Sequence, residues 1–238
     1  MQDRYVGDIG DYGKLGLLRA ITKHRLTLAI NWYKTIPGAH ELKKQDDGKF
    51  TKYLKDSSYS LYDPELYDQL QIIVNKHRNI ETIENDELGI VHAEFYGVPV
   101  PKGERKLWHT TALEKLGGKD IVFLDPDNGI ETQAMVAEKR TSQKHVKWAE
   151  IAGYYNQGQS ILIYQHQPRI KEKDFIKKLQ AKPEFKNADY IRIIKYSRYT
   201  SRFYILLLHK KHLRKVDSAL SELEGRLHKF CDKIYWRN

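Results

Sequence analysis

Two short stretches of the chain gather side chains that can do chemistry: Asp125-Pro126-Asp127-Asn128-Gly129, with Glu131 just beyond, and Tyr164-Gln165-His166-Gln167-Pro168-Arg169. Carboxylates and an amide can orient an acceptor or hold a cation, and a histidine can move a proton near neutral pH. Each stretch follows an apolar run, residues 121–124 and 161–163. Charged groups set against a buried strand cost desolvation energy, so a use for them is expected. Asp125, Asp127, Asn128 and His166 are the expected catalytic residues. An Asp cap followed by a turn-forming Asn-Gly is the plainer alternative for the first stretch.

A third candidate opens the chain, where Gly7, Gly10, Gly13 and Gly16 punctuate residues 4–19. We expect a loop to about Gly13 and then a helix through Ile21. Glycine lets a ligand approach the backbone, and a helix start offers N–H groups to a phosphate. Asp8, Gly10, Asp11, Tyr12 and Lys14 are accordingly the expected cofactor contacts. The stretch departs from a Walker loop, because Leu15 follows Gly13-Lys14 where Ser or Thr is required. A cation site or a cap built on Asp8 and Asp11 is an equal reading.

Charge points to the partner. The net charge is +10, and residues 121–238 hold 23 Lys plus Arg against 13 Asp plus Glu, whereas residues 1–120 balance at 18 each. A one-sided positive field attracts polyanions. Arg192, Lys195, Arg198 and Arg202 interleave with Tyr190, Tyr196, Tyr199 and Tyr204, the two residue types that pair phosphates and stack bases. With Arg169 they form the expected nucleic-acid contacts; an ordinary solvated hairpin is the alternative.

The elements that must position these residues alternate. Strands are expected at 26–33, 89–96, 120–124, 160–164, 190–196 and 202–209, with a weak one near Ile80. Helices are expected after Asp63-Pro64, over 105–116, 144–157, 171–181 and 210–230. This order predicts an α/β fold: one Rossmann-like, mostly parallel sheet with helices on both faces, closed by an antiparallel strand pair. A single domain spans 1–238, with a polar insertion at 37–60. Leu213, Val216, Leu220, Leu223, Leu227 and Phe230 give the last helix an apolar stripe, expected to pack on the sheet and otherwise usable as a dimer seam. The lone Cys231 precludes an internal disulfide, and no run reaches the ~18 apolar residues of a membrane span. The expectation is a cytoplasmic protein without a membrane partner.

From residue 121 onward the pattern resembles the back half of class I S-adenosylmethionine-dependent methyltransferases: strand, polar turn, helix, strand, helix, then two antiparallel strands. Asp125-Pro126 matches the first two places of the turn that the adenine-N6 branch presents to its target amine, with Asp127 and Asn128 in the next two. The glycine-rich start is faintly similar to that of the large-subunit rRNA adenine methyltransferases. The set GDIGDYGKLGLLR, FLDPDNGIE and YQHQPR resembles an uncharacterised family of bacterial and phage proteins along nearly the whole chain. These resemblances imply a methyltransferase-like protein acting on or binding nucleic acid, with S-adenosylmethionine as cofactor. Two other classes fit the residues. One is a nuclease or phosphoesterase holding Mg²⁺ or Mn²⁺ through Asp125, Asp127 and Glu131, with Asp8 and Asp11; the other is a non-catalytic binding module.

Overall fold

Side chains of successive strand residues point to opposite faces of a sheet, and here both faces are covered. In a computed structural model, Leu28 and Ile30 of β1 (Leu28–Asn31) and Ile121 and Phe123 of β3 (Ile121–Leu124) enter one apolar core, while Ala29, Val122 and Leu124 enter the other. Double coverage explains why these strands read as continuous apolar runs. The structure describes residues 1–36, 50–85, 88–137, 142–227 and 233–237. Most of the polar insertion, Cys231 and Phe230 lie outside the described residues.

The first core lies beneath α1 (Ile9–Lys23), α2 (Pro64–Lys76), the short α3 (Ile80–Glu84) and α9 (Lys210–Leu227). The second lies beneath α4 (Arg105–Leu116), α6 (Trp148–Asn156), α7 (Glu172–Gln180) and α8 (Pro183–Lys186). Between them runs a seven-stranded sheet in the order β2-β1-β3-β6-β8-β7-β9, with β2 at Glu94–Tyr96, β6 at Ser160–His166, β7 at Tyr190–Arg198, β8 at Thr200–Leu208 and β9 at Lys233–Arg237. β2, β1, β3 and β6 are parallel, and β8 is inserted antiparallel between β6 and β7. This is the expected Rossmann-like α/β architecture. A separate ribbon, β4 (Gly129–Ile130) with β5 (His145–Val146), stands beside the Asp125 turn, and α5 (Gln133–Ala137) lies between its strands.

Several local expectations differ from what is found. α1 starts at Ile9, not after Gly13, because Asp8 caps it by accepting from the N–H groups of Gly10 and Asp11. Ile80 starts a helix rather than a strand, since Asn79 accepts from Thr82 N–H. Regular pairing in β2 covers only 94–96 of the expected 89–96, and β9 pairs antiparallel with β7 where no strand was expected. α9 seats Val216, Leu220 and Leu223 in the core, so much of its stripe is used within the chain. Among the described residues no helix is long and apolar enough to cross a membrane.

Candidate functional site at the C-terminal rim of the sheet

The alternation that builds the cores also aims the chemistry. Phe123 faces α1 and Leu124 faces away, so Asp125 faces α1 again. There it meets Lys14, whose Nζ lies 2.6 Å from Asp125 Oδ2 and 2.8 Å from Asp11 Oδ1. All three side chains are buried. Burial pushes Asp11 up to about 6 against the pull of Lys14. Burial alone would lower Lys14, but its two carboxylate partners raise it, so it stays charged.

In β6 the same parity sends Tyr164 and His166 toward α1, and in β8 it sends Arg202 and Tyr204 there. His166 pairs in register with Arg202. The result is one cleft of about 370 Å³ at the carboxyl ends of β3 and β6, lined among others by Asp8, Gly10, Asp125, Asn128, His166 and Arg202. That volume is at the lower end of the roughly 300–1,000 Å³ typical of small-molecule sites, and the place is where open α/β sheets bind ligands.

The Asp125 turn is held from three directions. Asp127 accepts from Thr35 Oγ1 at 2.8 Å and Gln2 Nε2 at 3.0 Å, and its Oδ1 lies 2.8 Å from the Met1 ammonium. Burial by itself would raise Asp127; the ammonium, Thr35 and Gln2 outweigh it and hold the carboxyl below its ordinary value. The Met1 nitrogen also donates to the carbonyls of Trp32, Tyr33 and Asp125. From β6, Gln165 accepts from Ile130 N–H and donates to the Asn128 carbonyl. Gly129, at φ +106°, admits this contact, since a Cβ there would stand 2.4 Å from Gln165 Oε1. Gln165 thus ties the two chemical stretches to each other.

Glu131 leaves the cleft: its Oε1 caps α6 through Trp148 N–H. Asn128 is exposed at the mouth, as is His166. Partial burial and the nearby Arg202 lower the pKa of His166, which favours the neutral, proton-accepting form at neutral pH. Burial pushes the Tyr164 hydroxyl up to about 12, so it stays protonated.

Arg202 is 4% exposed, crosses the ring of Tyr196 at 5.5 Å and donates through Nη2 to Thr200. Its Nε and Nη1 have no hydrogen-bond partner among the described residues. Each buried donor left unmet costs about 1–3 kcal/mol. Nη1 sits against Gly10 in the first turn of α1, where a Cβ would come within 2.3 Å. A cation there also opposes the positive end of the helix dipole.

The glycine series is therefore not a phosphate loop. Gly10, Gly13 and Gly16 are helical and admit Arg202, Tyr196 and Tyr62 respectively. Of the residues expected to hold a cofactor, Asp8, Gly10, Asp11 and Lys14 line the cleft, Asp11 and Lys14 being tied up in the ion triad with Asp125, and Tyr12 packs in a tyrosine core with Tyr53, Tyr62 and Tyr67. The end of β1 already carries the Met1 nitrogen on Trp32 and Tyr33. This set does not fit S-adenosylmethionine in the manner that the resemblance implies.

The expected row of hairpin cations divides. Arg192 is buried near the opposite rim and grips Asp217 of α9 through two 2.9 Å bonds. Lys195 faces the other side of the sheet and pairs with Glu172 at 3.0 Å. Arg198 bonds the Ser197 carbonyl close to the hairpin tip, and Arg169 is exposed in the loop after β6. Only Arg202 of this group lines the cleft. Sequence reasoning missed Gln165, Thr35 and Gln2 as supports of the turn, because nothing in their spacing marks a partner so far along the chain.

At the other rim, Ser160, His212 and Asp120 form a chain that looks catalytic by residue type. Ser160 Oγ lies 2.8 Å from His212 Nδ1, and His212 Nε2 lies 3.2 Å from Asp120 Oδ1. Ser160 is fully buried, and its Oγ also accepts from His209 N–H. Among the described residues, no group of three or more His, Cys, Asp or Glu is arranged to hold a metal ion. No protein-family model matches the chain, and no curated protein does.

Proposed function

We propose that the protein is a methyltransferase-like fold that acts on or binds nucleic acid, with the cleft between the Asp125 turn and β8 as its working site. The observation that carries this reading is the meeting, in one opening at the carboxyl ends of the strands, of Asn128 and His166 with Arg202. An amide can orient a base edge, a neutral histidine can take a proton, and an arginine can meet the phosphate backbone. The basic excess of residues 121–238 supports capture of a polyanion at long range. The metal-dependent reading has weaker support: Asp11, Asp125 and Asp127 each already face a cation, and Glu131 caps a helix.

Titrating labelled single-stranded DNA and RNA into the protein at increasing salt tests the reading. Binding is expected at low salt and should weaken steeply as salt rises. Parallel arms with S-adenosylmethionine and Mn²⁺ ask whether methyl transfer or strand cleavage accompanies it. Absence of binding to either polymer at low salt would remove the proposal.

A further inference from the structure

We infer that Arg202, seated between the first turn of α1 and the hairpin tip, is the phosphate seat of the cleft, and that the ligand it takes is a nucleotide unit. This deepens the nucleic-acid reading and rests on it for the choice of ligand class.

Three observations converge. Arg202 is nine-tenths buried in the cleft wall, yet Nε and Nη1 are without acceptors among the described residues. Both groups are sealed from solvent and lie on different edges of the planar guanidinium, so a phosphate entering the cleft would meet them through separate charge-assisted bonds as the side chain turns toward it. The cation also stands at a helix N-terminus, whose field the Asp8 carboxylate beside it offsets in part. The first-turn N–H groups of Ile9, Gly10 and Asp11 are taken by the Phe50 carbonyl and the Asp8 carboxylate, so the helix supplies field rather than bonds. An incoming phosphate would satisfy the guanidinium donors that Asp8 and Thr200 leave unmet.

The second part of the ligand is read from the rings beside it. Phe50 lines the cleft and stacks on Tyr199 at 5.1 Å and 13°. Tyr199 is 60% exposed at the hairpin tip, where its φ of +58° is an unusual backbone state for a residue with a side chain. A large ring held outward in that state next to a phosphate seat fits a base-stacking platform.

The test uses the full chain with inorganic phosphate, adenosine, adenosine 5′-monophosphate and a short oligonucleotide bearing a 5′-hydroxyl, read by calorimetry or thermal shift. The nucleotide or the oligonucleotide should bind wild-type protein, and adenosine should not. Arg202→Met should weaken that binding about ten- to hundredfold, as expected for loss of charge-assisted bonds. Should Arg202→Met not fold, Gly10→Ala carries the test: helical backbone accepts alanine, and its Cβ displaces the guanidinium. Preference for the monophosphate over the oligonucleotide assigns the seat to a terminal phosphate, and the reverse assigns it to an internal phosphodiester. Oligonucleotide binding unchanged in both variants would overturn the phosphate seat while the nucleic-acid reading stands. Monophosphate binding that depends on Arg202, without any oligonucleotide binding, would uphold the seat and overturn that reading. Failure of every phosphate probe on wild-type protein would end both.

Discussion

The two rims of this sheet carry similar residue types and come out differently. At the amino ends of β3 and β6, Asp120, His212 and Ser160 make up the residue set of a serine hydrolase, but the imidazole is reversed, with Nδ1 on Ser160 and Nε2 on Asp120, and the buried Ser160 hydroxyl is spent, accepting from His209 N–H and facing His212. At the carboxyl ends, an opening remains, and Arg202 brings donors to its wall that nothing in the described chain satisfies. The first arrangement anchors the start of α9 to the sheet. The second leaves hydrogen-bonding capacity over. Residue type alone therefore does not mark a site; unspent capacity beside an opening does.

The strongest way to break this contrast is Lys14→Met. It would strand Asp11 and Asp125 in a buried place without their cation, and breaking such a pair costs about 3–5 kcal/mol. Urea unfolding of the variant measures it, and a loss near zero would mean that the triad does not hold the rim together. Ser160→Ala tests the opposite rim. Leaving the His209 N–H and His212 without their partner should cost about 1–3 kcal/mol, with oligonucleotide binding unchanged and no labelling of wild-type protein by a serine-directed phosphonate. Labelling of Ser160 in the folded protein would reverse the roles assigned to the two rims.

Asp127 gives a pH signature. Its folded pKa lies below the unfolded value, so its contribution is present above the ordinary carboxylate range and is lost as pH falls through the folded pKa. Asp127→Asn should flatten the decline of stability below about pH 4, read from melting temperature against pH; an unchanged acid limb would exclude the carboxylate as its source. The smallest effect is expected at Tyr199→Ala. Its exposed ring contributes within about 0.5 kcal/mol to folding, so melting should hardly move while nucleotide affinity drops. A large loss of stability would show that the ring is a structural lid on Phe50.

Much of the architecture was legible because buried strands and capped helices announce themselves locally. The apolar runs of β3, β6 and β8 and the Asp63-Pro64 start of α2 are where their sequence signals put them. The start of α1 was misplaced because its glycines read as a loop, although Asp8 is an ordinary cap. In the site, the convergence of residues from 1 to 202 follows from topology and strand parity, and only its separate stretches could be recognised beforehand. Arg192 and Lys195 were grouped with Arg202 by composition, yet alternation along β7 sends them to opposite faces. Gln165, Thr35 and Gln2 were invisible because their roles depend on partners 33 to 125 positions away.

The helical glycines of α1 carry one last implication. Gly10, Gly13 and Gly16 each receive a large side chain where a methyl group would stand. The spacing between the first helix and the β7–β8 hairpin is thus set by atoms the chain omits, and the breadth of the mouth is inherited from that omission. A single added carbon at position 13, about a turn of helix from the cleft wall, would press on Tyr196 and through it on the guanidinium above. Ligand selectivity could then be retuned without touching any group that meets the ligand.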